Sequence, residues 1–215
     1  MERSHNKIIT SIIYFNYLYF LMGVVWHLFD VTRPFVLLLT PYTLFIISLV
    51  IFYFSFPKLD LTLILWLVGT FVLTMIIEIL GVNTGIIFGN YYYGNILGLK
   101  FFEVPIIIGI NWTIVIYGLY SLVDKFIPLN NLMKSSVVGF MAVLFDIILE
   151  PAAIKLNYWH WESQSVPIEN YISWFFISFS LSFIGGKLLI KVNNTMVIHY
   201  FFAQFLFFFL LLLLI

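Results

Sequence analysis

The chain alternates long apolar runs with brief polar breaks. A helix needs roughly 20 mostly apolar residues to cross a bilayer core. Seven runs approach that length, at about 8–29, 35–56, 61–80, 104–123, 133–150, 171–190 and 196–215. Asp30 to Pro34 and the Pro57-Lys58-Leu59-Asp60 turn are short connections. Two connections are long, about 81–103 and 151–170, and both are rich in Tyr, Trp, Asn and Gly. The pattern predicts an all-α, polytopic membrane bundle of about seven transmembrane helices. It reads as one transmembrane domain over residues 1–215, carrying two long surface or re-entrant loops. The first run is too long for a signal-peptide core and is expected to stay as a helix. The last is Phe- and Leu-rich on every side and is expected to face lipid widely.

Composition agrees with this class. Of 215 residues, 63% are hydrophobic and 9% charged, with zero formal net charge. No basic patch points to nucleic acid. The absence of cysteine excludes disulfides, thiolate metal sites and a cysteine nucleophile. The four histidines have no metal-ligand spacing, so no metal site is expected.

Lysine and arginine set the expected orientation. With the N-terminus inside, Arg3, Lys7, Lys58, Lys125, Lys134, Lys187 and Lys191 lie on the cytoplasmic side of the cell membrane. Arg33, Lys100 and Lys155 lie on the other. Both long loops, with His27, Asp30, Glu78, Asp146, Glu150 and His160, then fall toward the non-cytoplasmic side.

A carboxylate in hydrocarbon is costly and marks a functional hypothesis. Asp146 and Glu150 are four apart and share a helix face. Pro151 biases the residue before it away from helix, so Glu150 is expected at a helix end. The alternative is a polar helix end solvated by headgroups. Glu78 closes the third run with no basic neighbour in sequence, and His27 or Lys100 would be its structural partner. Gly81, Gly85 and Gly89 recur every four residues, which suits either a helix-packing ridge or a functional loop. Trp112, Trp159, Trp161 and Trp174, with Tyr91 to Tyr93, fit an interfacial aromatic belt, the reading composition favours. They also fit a pocket whose ring faces stabilise positive charge.

Taken together, these residues carry a family resemblance. Glu78, Gly81-Val82, Thr84-Gly85, Phe88-Gly89, Tyr91 and Tyr93-Gly94 form a first block. Glu103-Val104-Pro105 and Asn111-Trp112 form a second. Asp146, Glu150-Pro151, Ala153, Trp159, Trp161, Pro167, Asn170-Tyr171 and Trp174 form a third. Over about residues 74–175 the chain resembles the membrane-bound carotenoid biosynthesis proteins, a family known as carotenoid 1,2-hydratases that act on lycopene, γ-carotene or bisanhydrobacterioruberin. The resemblance implies addition of water to the terminal double bond of an acyclic carotenoid end, giving a tertiary alcohol. It implies a lipophilic carotenoid and water as substrates, membrane lipid as surroundings, and other carotenoid-pathway enzymes as partners. No cofactor is implied.

The chemistry suggests roles. An alkene is hydrated by protonating carbon, shielding the cation and supplying a positioned water. A carboxyl kept from water can act as general acid, and a second can take the proton of the water. Asp146 or Glu78 is the expected acid, and Glu150 the base. Asn83, Asn111 and Asn170 are candidates to hold the water. Trp112, Trp159 and Tyr91 are candidates for the end-group pocket, and Thr84, Tyr93, Trp161 and Trp174 complete the expected substrate contacts. Rival readings are a lycopene cyclase, a carotenoid carrier and a proton-coupled transporter.

Overall fold

The computed structural model describes residues 2–55, 61–163, 165–188, 190 and 194–215. The turn expected at 57–60 lies outside these residues, as do Lys58, Lys191 and the side chain of Arg3.

Seven helices form among the described residues: α1 (Glu2–Leu28), α2 (Arg33–Ser55), α3 (Leu61–Thr84), α4 (Ile106–Phe126), α5 (Asn131–Lys155), α6 (Ile168–Lys187) and α7 (Thr195–Leu214). Six of them, all but α6, are long and apolar enough to cross a membrane by themselves. The chain is a multi-pass membrane protein. Helix α4 is the central post and packs against α2, α3, α5, α6 and α7. Its residues Ile114 to Ile116 and Leu119 are fully buried. Small residues let neighbouring helices approach closely. Gly118 lies against the Val197 carbonyl and Phe201, and Gly139 lies against Phe175. Side chains then tie the helices across the bundle. Trp66 Nε1 donates to the Leu181 carbonyl at 2.9 Å, and Asn131 Nδ2 donates to the Phe183 carbonyl at 3.0 Å.

Three expectations change here. Helix α5 runs past Pro151 to Lys155, so Glu150 is inside a helix and not at its end. Proline removes one backbone donor, but the following turn closes through Leu156 N to the Ala152 carbonyl and Tyr158 N to the Ala153 carbonyl. Helix α7 does not face lipid widely. It packs on α1, α2, α4 and α5 and buries Tyr200, Gln204, Phe207 and Phe208. The third helix extends to Thr84, so the first long loop begins at Gly85.

The two long connections fold into short strands at one end of the bundle. Strand β1 (Tyr91–Tyr93) pairs antiparallel with β4 (Trp159–Trp161), matching Tyr91 to Trp161, Tyr92 to His160 and Tyr93 to Trp159. Strands β2 (Lys100–Phe101) and β3 (Val104–Pro105) form a hairpin closed by Phe102 and Glu103. Both of these turn residues have positive φ, as a two-residue turn of the twist-matching kind requires. Lys100 Nζ donates to the Tyr93 carbonyl at 2.8 Å and fastens the hairpin to the ribbon. The glycine ridge reading applies only to Gly81, which stays helical against Phe88. Gly85 and Gly89 take positive φ in the turn that follows, so they serve the loop.

Candidate active site

Strand alternation builds the site. Side chains of a strand point to opposite faces in turn. In the ribbon, Tyr91, Tyr93, Trp159 and Trp161 face inward, while Tyr92 and His160 turn outward and lie 5.1 Å apart. The inward set carries four polar hydrogens into the bundle, where carboxylates wait. Tyr92 alone of these aromatics fits the interfacial belt, at 56% exposure. The others form a pocket.

Glu78 is buried and fully engaged. Its Oε2 accepts from Tyr91 Oη at 2.5 Å and from Tyr93 Oη at 2.8 Å. Its Oε1 accepts from Trp112 Nε1 at 2.6 Å. Three donors on two oxygens is the pattern of a carboxylate used as an acceptor only. Its expected partners are elsewhere: His27 bonds the Gly23 carbonyl, and Lys100 bonds Tyr93. Burial, with the charge of Glu78 adding to it, pushes the Tyr91 and Tyr93 phenols well above their usual range.

Glu150 Oε2 accepts from Trp159 Nε1 at 3.0 Å and from Trp161 Nε1 at 2.9 Å. Asp146, one turn away on α5, is fully buried. Asn170 Nδ2 donates to its Oδ2 at 2.6 Å. Its Oδ1 has no hydrogen-bond partner among the described residues. None of the three carboxyl groups meets a cation among the described residues, where the ion pairs are Asp30–Arg33 and Asp124–Lys134.

One cavity of about 70 Å³ brings these groups together. All three carboxyl groups line it, with Tyr91, Tyr93, Asn111, Trp112, Trp159, Trp161 and Trp174. The Trp112 and Trp174 rings stack at 3.9 Å and form one wall. Asn170 stands behind Asp146 and holds it. Asn83 and Thr84 do not reach the cavity. Both are exposed at the end of α3, where their side chains donate to the Ile79 and Leu80 carbonyls. His160 and Asp30 also lie outside it.

Two polar lining residues were not anticipated. Gln204 of α7 donates from Nε2 to Asn111 Oδ1 at 2.5 Å, and Tyr158 closes the wall beside it. A lone amide in a Phe- and Leu-rich helix is itself a signal, because a polar group in hydrocarbon needs a partner.

The model of a family described as carotenoid biosynthesis protein matches residues 38–215. The bisanhydrobacterioruberin hydratase of Haloarcula japonica is similar, 30% identical over 128 residues that cover 55% of this chain and 43% of that protein. The match therefore spans less than half of that relative's length. No solved structure matches.

Proposed function

The chain belongs to the carotenoid biosynthesis protein family, and on that premise we propose that it is a carotenoid 1,2-hydratase acting on an acyclic end group. The observation that carries this reading is the unequal furnishing of three acids around one cavity. Glu78 is saturated with donors, Glu150 has two, and Asp146 keeps one oxygen free. Burying several unpaired charges together is costly, so a proton is retained most readily where donors are fewest. That group is Asp146, and its free Oδ1 is the seat of the proton.

In the reaction, Asp146 gives this proton to the less substituted carbon of the terminal double bond. The π electrons form the new C–H bond and leave a cation on the more substituted carbon. The faces of Trp112 and Trp174 and the negative charge of Glu78 stabilise it. A water oxygen adds to the cation, and Glu150 accepts the proton released. The proton returns from Glu150 to Asp146, one helical turn away. The sum is alkene plus water giving a tertiary alcohol. A cavity of this size takes an end group only, so the polyene must run outward into hydrocarbon.

Expression in cells making lycopene, and separately γ-carotene, tests the proposal. A more polar pigment, heavier by one water, is expected in extracts. A new pigment of unchanged mass would point to cyclisation, and unchanged pigment bound to the purified protein would point to a carrier.

A further inference from the structure

A second cavity, of about 50 Å³, adjoins the first. Leu44, Tyr158, Gln204 and Phe208 stand in the walls of both. The remainder of its lining comes mainly from α1 and α2, with His27 as its one ionisable imidazole.

His27 is only 2% exposed. Its Nδ1 lies 2.6 Å from the Gly23 carbonyl oxygen. A carbonyl only accepts, so the ring hydrogen is on Nδ1 and Nε2 is a bare acceptor. Neither Nε2 of His27 nor Oε1 of Gln204 has a hydrogen-bond partner among the described residues. Two buried acceptors in one small cavity call for a ligand that donates. The threonines of the same wall do not supply it: Thr40 and Thr43 spend their hydroxyl hydrogens on α2 carbonyls. A cavity of this size and polarity suits water, which can donate twice.

Gln204 is also the link between the cavities, because its other end donates to Asn111 in the active site. Toward the surface, Arg33 Nε donates to the His27 carbonyl at 2.7 Å. Arg33 and Lys155 border an open depression of about 270 Å³ at the bundle end. Polar groups thus run from the surface past His27 and Gln204 to the acids.

We propose that this second cavity is a water site supplying the nucleophile, with His27 Nε2 and Gln204 Oε1 holding water that passes Gln204 into the active site. This rests on the hydratase reading. His27 and Gln204 are positioning residues: they act on the water and not on the proton transfer to carbon. The cation has two fates, capture by water or loss of a proton to return an alkene. Weakening the supply shifts that partition and leaves protonation intact.

The test uses full-length wild type, His27→Phe and Gln204→Met in isolated membranes in D₂O, with an acyclic carotenoid that the wild type hydrates. Phe preserves the ring contact that His27 makes with Phe207 at 5.6 Å. The wild type is expected to give hydrated pigment with deuterium on the carbon beside the carbinol. In the variants, the hydrated fraction falls about tenfold, the worth of roughly one hydrogen bond, while deuterium accumulates in unhydrated pigment. Loss of hydration without deuterium in unhydrated pigment would mean that protonation failed with the fold, and would overturn the proposal. An unchanged hydrated fraction would overturn it as well. A wild type that adds neither deuterium nor water to any acyclic carotenoid would instead remove the hydratase reading on which it stands.

Discussion

Tyr91 lies opposite Trp161 across the ribbon, with ring centroids 5.0 Å apart, and the two serve different acids. The Tyr91 hydroxyl reaches Glu78 on α3, and the Trp161 indole reaches Glu150 on α5. One pair of three-residue strands therefore furnishes two helices at once. Moving the ribbon would strip donors from both acids together.

This coupling is measurable. Tyr91→Phe and Trp161→Phe each remove one charge-assisted donor, which is worth about 1.5–3 kcal/mol. Each is expected to lower turnover by about tenfold to a hundredfold. Because the rings touch and share a support, the double variant should lose less than the sum of the two. A double-mutant cycle on hydration rate checks this, and strict additivity would contradict the clamp.

The acids should separate by stability. Asp146→Asn is expected to reduce hydration at least ~100-fold, the scale of a lost general acid. Its melting temperature in detergent should barely change, because Oδ1 has no partner to lose. Glu78→Gln keeps one acceptor oxygen for Trp112 and turns an NH₂ toward Tyr91 and Tyr93. It should be destabilised by about 1–3 kcal/mol. Thermal unfolding beside pigment assays decides the order, and equal melting would reject it.

Gly94 seats the ribbon. Its N–H donates to the Tyr158 carbonyl at 2.9 Å, and a Cβ there would collide with the Asn157 carbonyl oxygen. Gly94→Ala should cost about 1–3 kcal/mol, as overpacking does, and depress activity with it. Gly69→Ala is the control, since a Cβ at Gly69 meets nothing within 4 Å. There the helix preference of alanine makes the change neutral or stabilising by up to about 1 kcal/mol.

Alkaline stability should depend on the buried phenols. Tyr91 and Tyr93 titrate well above the usual value near 10.0 because they are buried beside Glu78. Their stabilising contribution is complete below the unfolded phenol value. It is lost as pH rises from there toward the folded value, because the unfolded state ionises first. Denaturation against pH should therefore steepen above about pH 10. Tyr91→Phe and Tyr93→Phe should each flatten that fall.

Orientation can be read without background labelling, because the chain has no cysteine. Glu162→Cys sits at the ribbon end, and Leu129→Cys sits at the exposed connection after α4. An impermeant thiol reagent on intact cells is expected to label the first and not the second. The reverse pattern would place the site on the cytoplasmic side.

The parts legible in the sequence were those that stand against their background. Glu78, Asp146 and Glu150 interrupt apolar runs, and the i, i+4 spacing of the latter two puts both on the cavity. The ribbon was not legible. Three residues carry too little alternation to announce a strand, and 65 residues lie between Tyr93 and its partner Trp159. Trp159 and Tyr93 consequently read as belt aromatics, although their polar hydrogens point inward. Pro151 misled because a rule about local backbone preference lost to tertiary packing, which carries α5 on to Lys155. Gln204 also stands against an apolar run, but an amide carries no charge, so its signal is weaker than that of the acids.

Every donor to these acids follows its acceptor in the chain. Glu78 waits for Tyr91, Tyr93 and Trp112; Glu150 waits for Trp159 and Trp161; Asp146 waits for Asn170. A ribosome makes the chain from the N-terminus, so each acid is synthesised before the residues that will donate to it. A bare charge in hydrocarbon is unfavourable, so an acid still without its donors favours the protonated form. Completing each donor set is thus what favours charge on Glu78 and Glu150 inside the bundle, and their ionisation is tied to folding itself.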